Sequence, residues 1–197
     1  MKRGETDRAV GWLAEALAYP DNLNEGRLVG QTDNDIHYWL ARSAERLGDR
    51  DEANREYRLA AEGETELSES RYYNDRPVDY LLFKALALRA LGQRGEADDL
   101  LARMHRWSVD HMPKPPEKDF FAVSLPDLVV YNRDHQRDHE TFCLLVDALA
   151  RIGQGDFEAS ERIRKRILQL DPGHGQARML EEFCPFISAE SAIAQSR

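Results

Sequence analysis

The chain has 197 residues, 42% hydrophobic and 32% charged, with 27 Lys and Arg against 36 Asp and Glu and a formal net charge of −9. That length buries a real core in one domain or one elongated array, and the composition excludes a disordered or membrane-embedded chain. The negative charge argues against nucleic acid or an anionic lipid surface as main partner, because both are held by clustered positive charge.

No apolar run approaches the roughly 18 residues a membrane span needs. Glu5, Asp7 and Arg8 stand where an export signal would place its apolar core. Cys143 and Cys184 form no CxxC pattern. They read as free thiols in a reducing, cytoplasmic compartment, with a stray disulfide as the alternative.

Taken in chain order, apolar residues three and four apart predict helices and no sheet. Thr6–Tyr19 sets Trp12, Leu13, Ala16 and Leu17 on one side. Asn34–Leu47 aligns Leu40, Ala44 and Leu47, with Arg42, Glu45 and Arg46 elsewhere on the wheel. Arg50–Glu62 sets Ala53, Tyr57 and Ala60 against Arg55, Glu56 and Arg58, and Val78–Leu91 is apolar nearly all round. Gly95–Trp107 precedes an insertion, Ser108–Gln136, that carries Pro113, Pro115 and Pro116. Its second half, with Phe120, Phe121, Val123, Leu125 and Val129, is too apolar for a solvated loop. Ser124 ahead of Pro126 reads there as the N-cap of a short helix. Arg137–Ile152, Asp156–Leu170 and Gly175–Phe183 complete the array, and the tail, 184–197, either adds one weak helix or frays.

One pattern recurs four times. Gly4, Gly48, Gly92 and Gly155, spaced 44, 44 and 63 residues apart, are each followed by polar or acidic residues and then by Ala9, Ala53, Ala97 and Ser160. A glycine ends a helix cheaply because positive φ costs it little. The acidic residue complements the positive end of the next helix, and the small residue allows two helices to approach closely.

This register resembles the tetratricopeptide repeat, a helix–turn–helix unit of about 34 residues. The last copy, Leu149 to Phe157 and then Leu170-Asp171-Pro172, is the most similar. Leu40, Ala41, Ala44, Ala53, Tyr57 and Ala60 fill the packing positions of one copy, and Ala85, Leu88, Ala97, Leu101 and Met104 those of the next. Asp147 and Arg151 depart from the pattern, standing where apolar or small residues are usual. The resemblance implies an all-α, right-handed α–α superhelix of about three and a half repeats over residues 1–183, interrupted by the insertion at 108–136.

The longer connections, Leu17 to Leu23, Tyr73 to Pro77 and Phe121 to Asp127, are similar to the C-terminal repeat region of large bacterial proteins. In those a β-sandwich domain of uncharacterised, carbohydrate-related role precedes the repeats, and the resemblance supplies no catalytic residue here. The first helix matches the second half of a repeat. Its apolar flank implies either a fragment of a longer chain, a second subunit in a homodimer, or simple packing of Trp12 and Leu17 on the next helix.

In the repeat family the first helices line a concave groove that receives an extended peptide. The register carries over Tyr38, Arg42 and Glu45, then Leu82, Leu86 and Arg89, then Phe142, Leu145, Leu149 and Ile152. The family's carboxylate clamp needs Lys and Asn where Tyr38 and Arg42 stand, so that clamp is absent. An apolar groove must be covered. Self-filling by Phe120, Phe121, Val123 and Leu125 avoids the cost of association and is the expectation, with a partner as the alternative.

Other chemistry has little footing. His135 and His139 share a helical face near Asp134, Asp138 and Glu140, yet no HExxH or third ligand accompanies them, and a solvated face is expected. Cys143 beside Phe142 and Leu144 reads as a small buried residue. His105 and His111 flank Trp107 without a spaced acid or nucleophile. Arg162, Arg164, Lys165 and Arg166 follow Glu158 and Glu161 at intrahelical pairing distance. No phosphate-cradling or nucleophile-elbow motif occurs. The expectation is a non-catalytic scaffold, without cofactor or metal, that binds a protein, a peptide or a neighbouring domain. An accessory module of a glycan-processing enzyme is the alternative, and a metal-assisted hydrolase built on His135 and His139 is a third class.

Overall fold

The computed structural model describes residues 3–19, 33–67, 77–116 and 134–195. Among the described residues there are eight helices and no strand: α1 Arg3–Ala16, α2 Asn34–Leu47, α3 Arg50–Ala60, α4 Tyr80–Ala90, α5 Arg94–His111, α6 His135–Gln154, α7 Phe157–Leu170 and α8 Gly175–Gln195. None is long and apolar enough to cross a membrane. The chain divides into two compact units, with the boundary inside α5 between Leu100 and Leu101.

The glycine pattern becomes a repeated turn. The N–H of Gly48, Gly92 and Gly155 donates to the carbonyl of Glu45, Arg89 and Ile152 at 3.1, 3.0 and 3.0 Å. The next N–H, of Asp49, Gln93 and Asp156, reaches back to Ala44, Leu88 and Arg151 at 3.0, 2.9 and 2.9 Å. Both bonds quench carbonyls that a helix end leaves open, and they require the left-handed φ of 83–87° found at the three glycines. Asp49 and Asp156 then accept from the N–H three residues on, at 3.0 and 3.1 Å, and so start α3 and α7. Ala53, Ala97 and Ser160, five residues past each glycine, are all buried. Gly4 does not follow suit. It lies inside α1, which starts three residues earlier than Thr6, and its φ is not left-handed.

In the first unit α2 packs on α1, α3 and α4, and α3 packs on α4. Its core is aromatic at the centre: Tyr38, Tyr57 and Phe83 are buried, with Trp39 and Leu86 partly buried against them. Tyr38 lies 5.2 Å from Trp39, 6.0 Å from Tyr57 and 5.6 Å from Phe83, centroid to centroid, in tilted and edge-on geometries that favour aromatic contact. Fully buried Asn34 donates to the carbonyls of Ala60 and Glu62 at 2.7 and 3.0 Å, and Lys84 donates to the carbonyl of Gly63. These two side chains satisfy the open end of α3.

In the second unit α7 packs on α6 and α8, and α6 also meets α8. The buried residues are aliphatic, with Leu101, Leu145, Leu149, Ile152, Ile167 and Leu180 among the largest. Gly153 lets α6 press onto α5: a Cβ there would stand 2.3 Å from a methyl of Leu101.

Three sequence boundaries need correction. α5 continues through Ser108 to His111, because buried Ser108 donates to the carbonyl of Cys143 at 2.8 Å and holds that turn on α6. α6 starts at His135, where Asp134 accepts from the N–H of Arg137 at 3.0 Å, so the insertion loses residues at both ends. α8 does not stop at Phe183. It runs through Pro185 to Gln195 despite the missing proline N–H, with Ile187 buried two residues beyond it.

Candidate functional site

The residues that the repeat register assigns to a groove have two different fates. Tyr38 is core, as the aromatic contacts show. Leu82, Leu145 and Leu149 are buried completely or nearly so and present no surface for a ligand. The cause is visible in α4, where seven of eleven residues are buried, leaving no free apolar face. Arg42, Leu86, Arg89 and Phe142 keep part of their surface in solvent. The proposed fillers Phe120, Phe121, Val123 and Leu125 lie outside the described residues.

In the first unit the exposed edge of the aromatic core carries a polar network. Tyr57 donates its hydroxyl to Glu45 Oε2 at 2.9 Å, and Arg42 Nη1 donates to the same carboxylate at 2.5 Å and to the Tyr57 oxygen at 3.3 Å. Burial pushes the Tyr57 phenol well above its usual range, so this hydroxyl acts as a neutral donor at any physiological pH. Arg89 pairs with Asp98 at 2.5 Å. Deeper in the unit, Glu56 is held by His37 Nδ1 and by Arg55, both at 2.7 Å.

The second unit holds a cluster that the sequence does not announce. His105 Nδ1 donates to Asp147 Oδ1 at 2.8 Å, and Arg151 stands beside both, its Nη2 at 3.4 Å from His105 Nε2 and its Nε at 3.3 Å from Asp147 Oδ1. Asp147 and Arg151, the two departures from the repeat pattern, are therefore partners of a histidine on α5. A His–Asp pair of this kind resembles a proton-relay arrangement, but a guanidinium only donates. It occupies the imidazole nitrogen that a general base would need free. The cluster ties α5 to α6. The hint in the sequence was the i,i+4 spacing of an acid and an arginine on an otherwise apolar face, which asks for a polar partner on the facing helix.

Next along α5, Trp107 stacks on His111 with centroids 4.1 Å apart and meets Phe142 edge-on at 5.8 Å. His139 points inward: its Nε2 is 2.8 Å from the His111 carbonyl and 3.7 Å from Cys143 Sγ. A carbonyl only accepts, so Nε2 carries the proton and the sulfur faces a donor, not a base. Cys143 is a free thiol, fully buried. His139 is therefore not on a solvated face with His135, and among the described residues no group of three or more His, Cys, Asp or Glu could hold a metal ion.

The basic run of α7 is paired throughout: Arg162 with Glu158, Lys165 with Glu161, Arg164 with Glu161 and Glu181, and Arg166 with Glu140. Such pairs leave little positive field for a phosphate backbone. Cys184 nearby has its thiol pushed up to about 11, by burial first and by Glu161 second, which keeps it protonated and unreactive. No model of a known protein family matches this chain, and no solved structure matches it.

Proposed function

We propose that this chain is a non-catalytic, tetratricopeptide-like scaffold of about three and a half repeats in a right-handed α-solenoid that binds a protein segment or a neighbouring domain. The observation that carries the reading is the threefold recurrence of one turn, at Gly48, Gly92 and Gly155, with the same two carbonyl-capping bonds and a buried small residue five positions on. Repetition of one supersecondary unit is the structural basis of extended binding surfaces. The polar clusters add a second, chemical support. His105 commits both ring nitrogens, to Asp147 and Arg151, and His139 commits Nε2 to the His111 carbonyl, an economy suited to holding helices together rather than to turnover.

The contact set narrows to Arg42, Leu86 and Arg89 of the first unit, since Tyr38 and Leu82 there are core; in the second unit, taken by itself, Leu145 and Leu149 are core and Phe142 alone of the three keeps part of its surface in solvent. Half-buried Leu86 offers apolar contact, and an acidic segment would compete with Glu45 for Arg42 and with Asp98 for Arg89, so a segment with acidic and apolar side chains is the expected ligand. Selection of a random peptide library on the purified chain tests this. Enriched peptides should carry Asp or Glu, and Arg42→Ala with Arg89→Ala should weaken their binding at least about tenfold, roughly 1.4 kcal/mol, while the helical circular dichroism stays unchanged. A library that yields nothing, or peptides indifferent to both arginines, overturns the proposal.

A further inference from the structure

α1 uses only one side to pack on α2. Thr6 is buried and Val10, Leu13 and Leu17 are half-buried, three or four residues apart. Trp12 and Ala16, which the sequence grouped with Leu13 and Leu17, point away from α2 instead. The outward side carries Gly4, Arg8, Gly11, Trp12 and Glu15, with Tyr19 just beyond the helix end. Trp12 is 65% exposed, the Arg8 guanidinium lies 5.5 Å from its ring centroid, and the space beside Gly4 and Gly11 is open.

This stripe complements its own reverse. A two-fold axis between Gly11 and Trp12, perpendicular to the helix, sets Gly11 against Trp12, Arg8 against Glu15 and Gly4 against Tyr19, each twice. Every ring then meets a residue without a side chain, and every cation meets an anion. Arg8 and Glu15 are two turns apart on their own helix, too far to pair there. A parallel pairing would instead oppose Arg8 to Arg8 and Glu15 to Glu15.

We propose that the chain forms a symmetric dimer through an antiparallel α1–α1 contact, with Trp12 of each copy seated over Gly11 of the other. The contact is isologous, as two-fold interfaces are. A single helix pair about 20 Å long buries less than a standard interface, so the dimer is a concentration-dependent one. The inference is independent of the peptide-binding reading, which uses α2, α4 and α6.

Sedimentation velocity over a concentration series of the purified chain decides it. The weight-average mass should rise from one chain toward two. Arg8→Glu alone and Glu15→Arg alone should each raise the dissociation constant at least about tenfold, since each opposes like charges twice across the axis. The double variant Arg8→Glu, Glu15→Arg rebuilds both pairs and should return the constant to near its original value. All these positions are exposed, and Trp12→Ser, which removes the ring without touching charge, should abolish the dimer while α-helical content is kept. A chain that stays monomeric throughout, or a dimer that the double swap fails to restore, overturns the proposal and leaves this face to another occupant.

Discussion

Hairpin α2–α3 and hairpin α6–α7 turn on the same three hydrogen bonds and bury different chemistry. In the first, Tyr38 and Tyr57 fill the centre and Glu56 is held inside by His37 and Arg55. In the second, Leu145, Leu149, Ile152 and Ile167 are aliphatic, and the polar residues of α6 pair with His105 instead. A turn of this kind is satisfied locally, by its own glycine and cap, and makes no demand on what the helices carry further along. The faces are set by tertiary partners, so each unit has found its own way to accommodate a carboxylate in an apolar setting.

Removing those carboxylates tests how deeply each unit depends on them. Glu56→Ala takes the acceptor from half-buried His37 at a carboxylate only 6% exposed, while exposed Arg55 keeps Glu52, and should cost about 3 kcal/mol of unfolding free energy. Asp147→Ala takes the acceptor from His105 and leaves Arg151 only Asp156 at 3.9 Å, but at a carboxylate 16% exposed, and should cost about 2 kcal/mol. Replacing the whole cluster, with His105→Leu, Asp147→Leu and Arg151→Leu together, should recover most of that loss, because no polar group is then stranded. Urea denaturation measures all three. A triple variant no more stable than Asp147→Ala would show that the cluster is worth more than the partners it satisfies.

The same contrast explains how much could be read in advance. The all-helical class, the bounds of α2 and the turns at Gly48, Gly92 and Gly155 were legible, because caps and spacing act within a few residues. The polar cluster was not. Asp147 and Arg151 read as defects in a repeat because their histidine lies 42 and 46 residues upstream. The burial of individual groove residues was hidden for a related reason: the repeat register says which helix a residue belongs to, but most of α4 is apolar and seven of its eleven residues are buried, leaving Leu86 and Arg89 partly in solvent. α8 continues through its proline with Ile187 buried two residues beyond it, a packing contact that the tail's local sequence does not reveal.

If the turns are truly interchangeable, their glycines should be equally replaceable. Gly48→Ala and Gly155→Ala each force a Cβ into φ near 85°, and around both positions the space is otherwise open. The cost is then conformational alone, about 1 kcal/mol in each hairpin. Matched thermal melts should give equal losses. A clear inequality would mean that one turn carries a tertiary duty the other lacks.

The remaining expected effect is a gain, and it depends on pH. Asp79, at the start of α4, has its carboxyl raised from 3.8 to about 6, by burial first and by the neighbouring Asp35 second. The folded chain therefore holds this proton more tightly than the unfolded one. Between those two values the folded state binds more protons, so stability falls as pH rises through the window and the penalty is complete above it. Asp79→Asn removes the charge that is penalised. At pH 7 it should stabilise the first unit by about 1–2 kcal/mol, and below about pH 3, where Asp79 is protonated in both states, it should change nothing. The fluorescence of Trp39, whose ring lies 6.2 Å from Phe83 of α4, reports unfolding of the unit that contains Asp79. Denaturation followed at that signal across the window should show the advantage of Asp79→Asn growing with pH. An advantage that is constant with pH would assign the gain to helix capping or packing and leave the buried charge without a role.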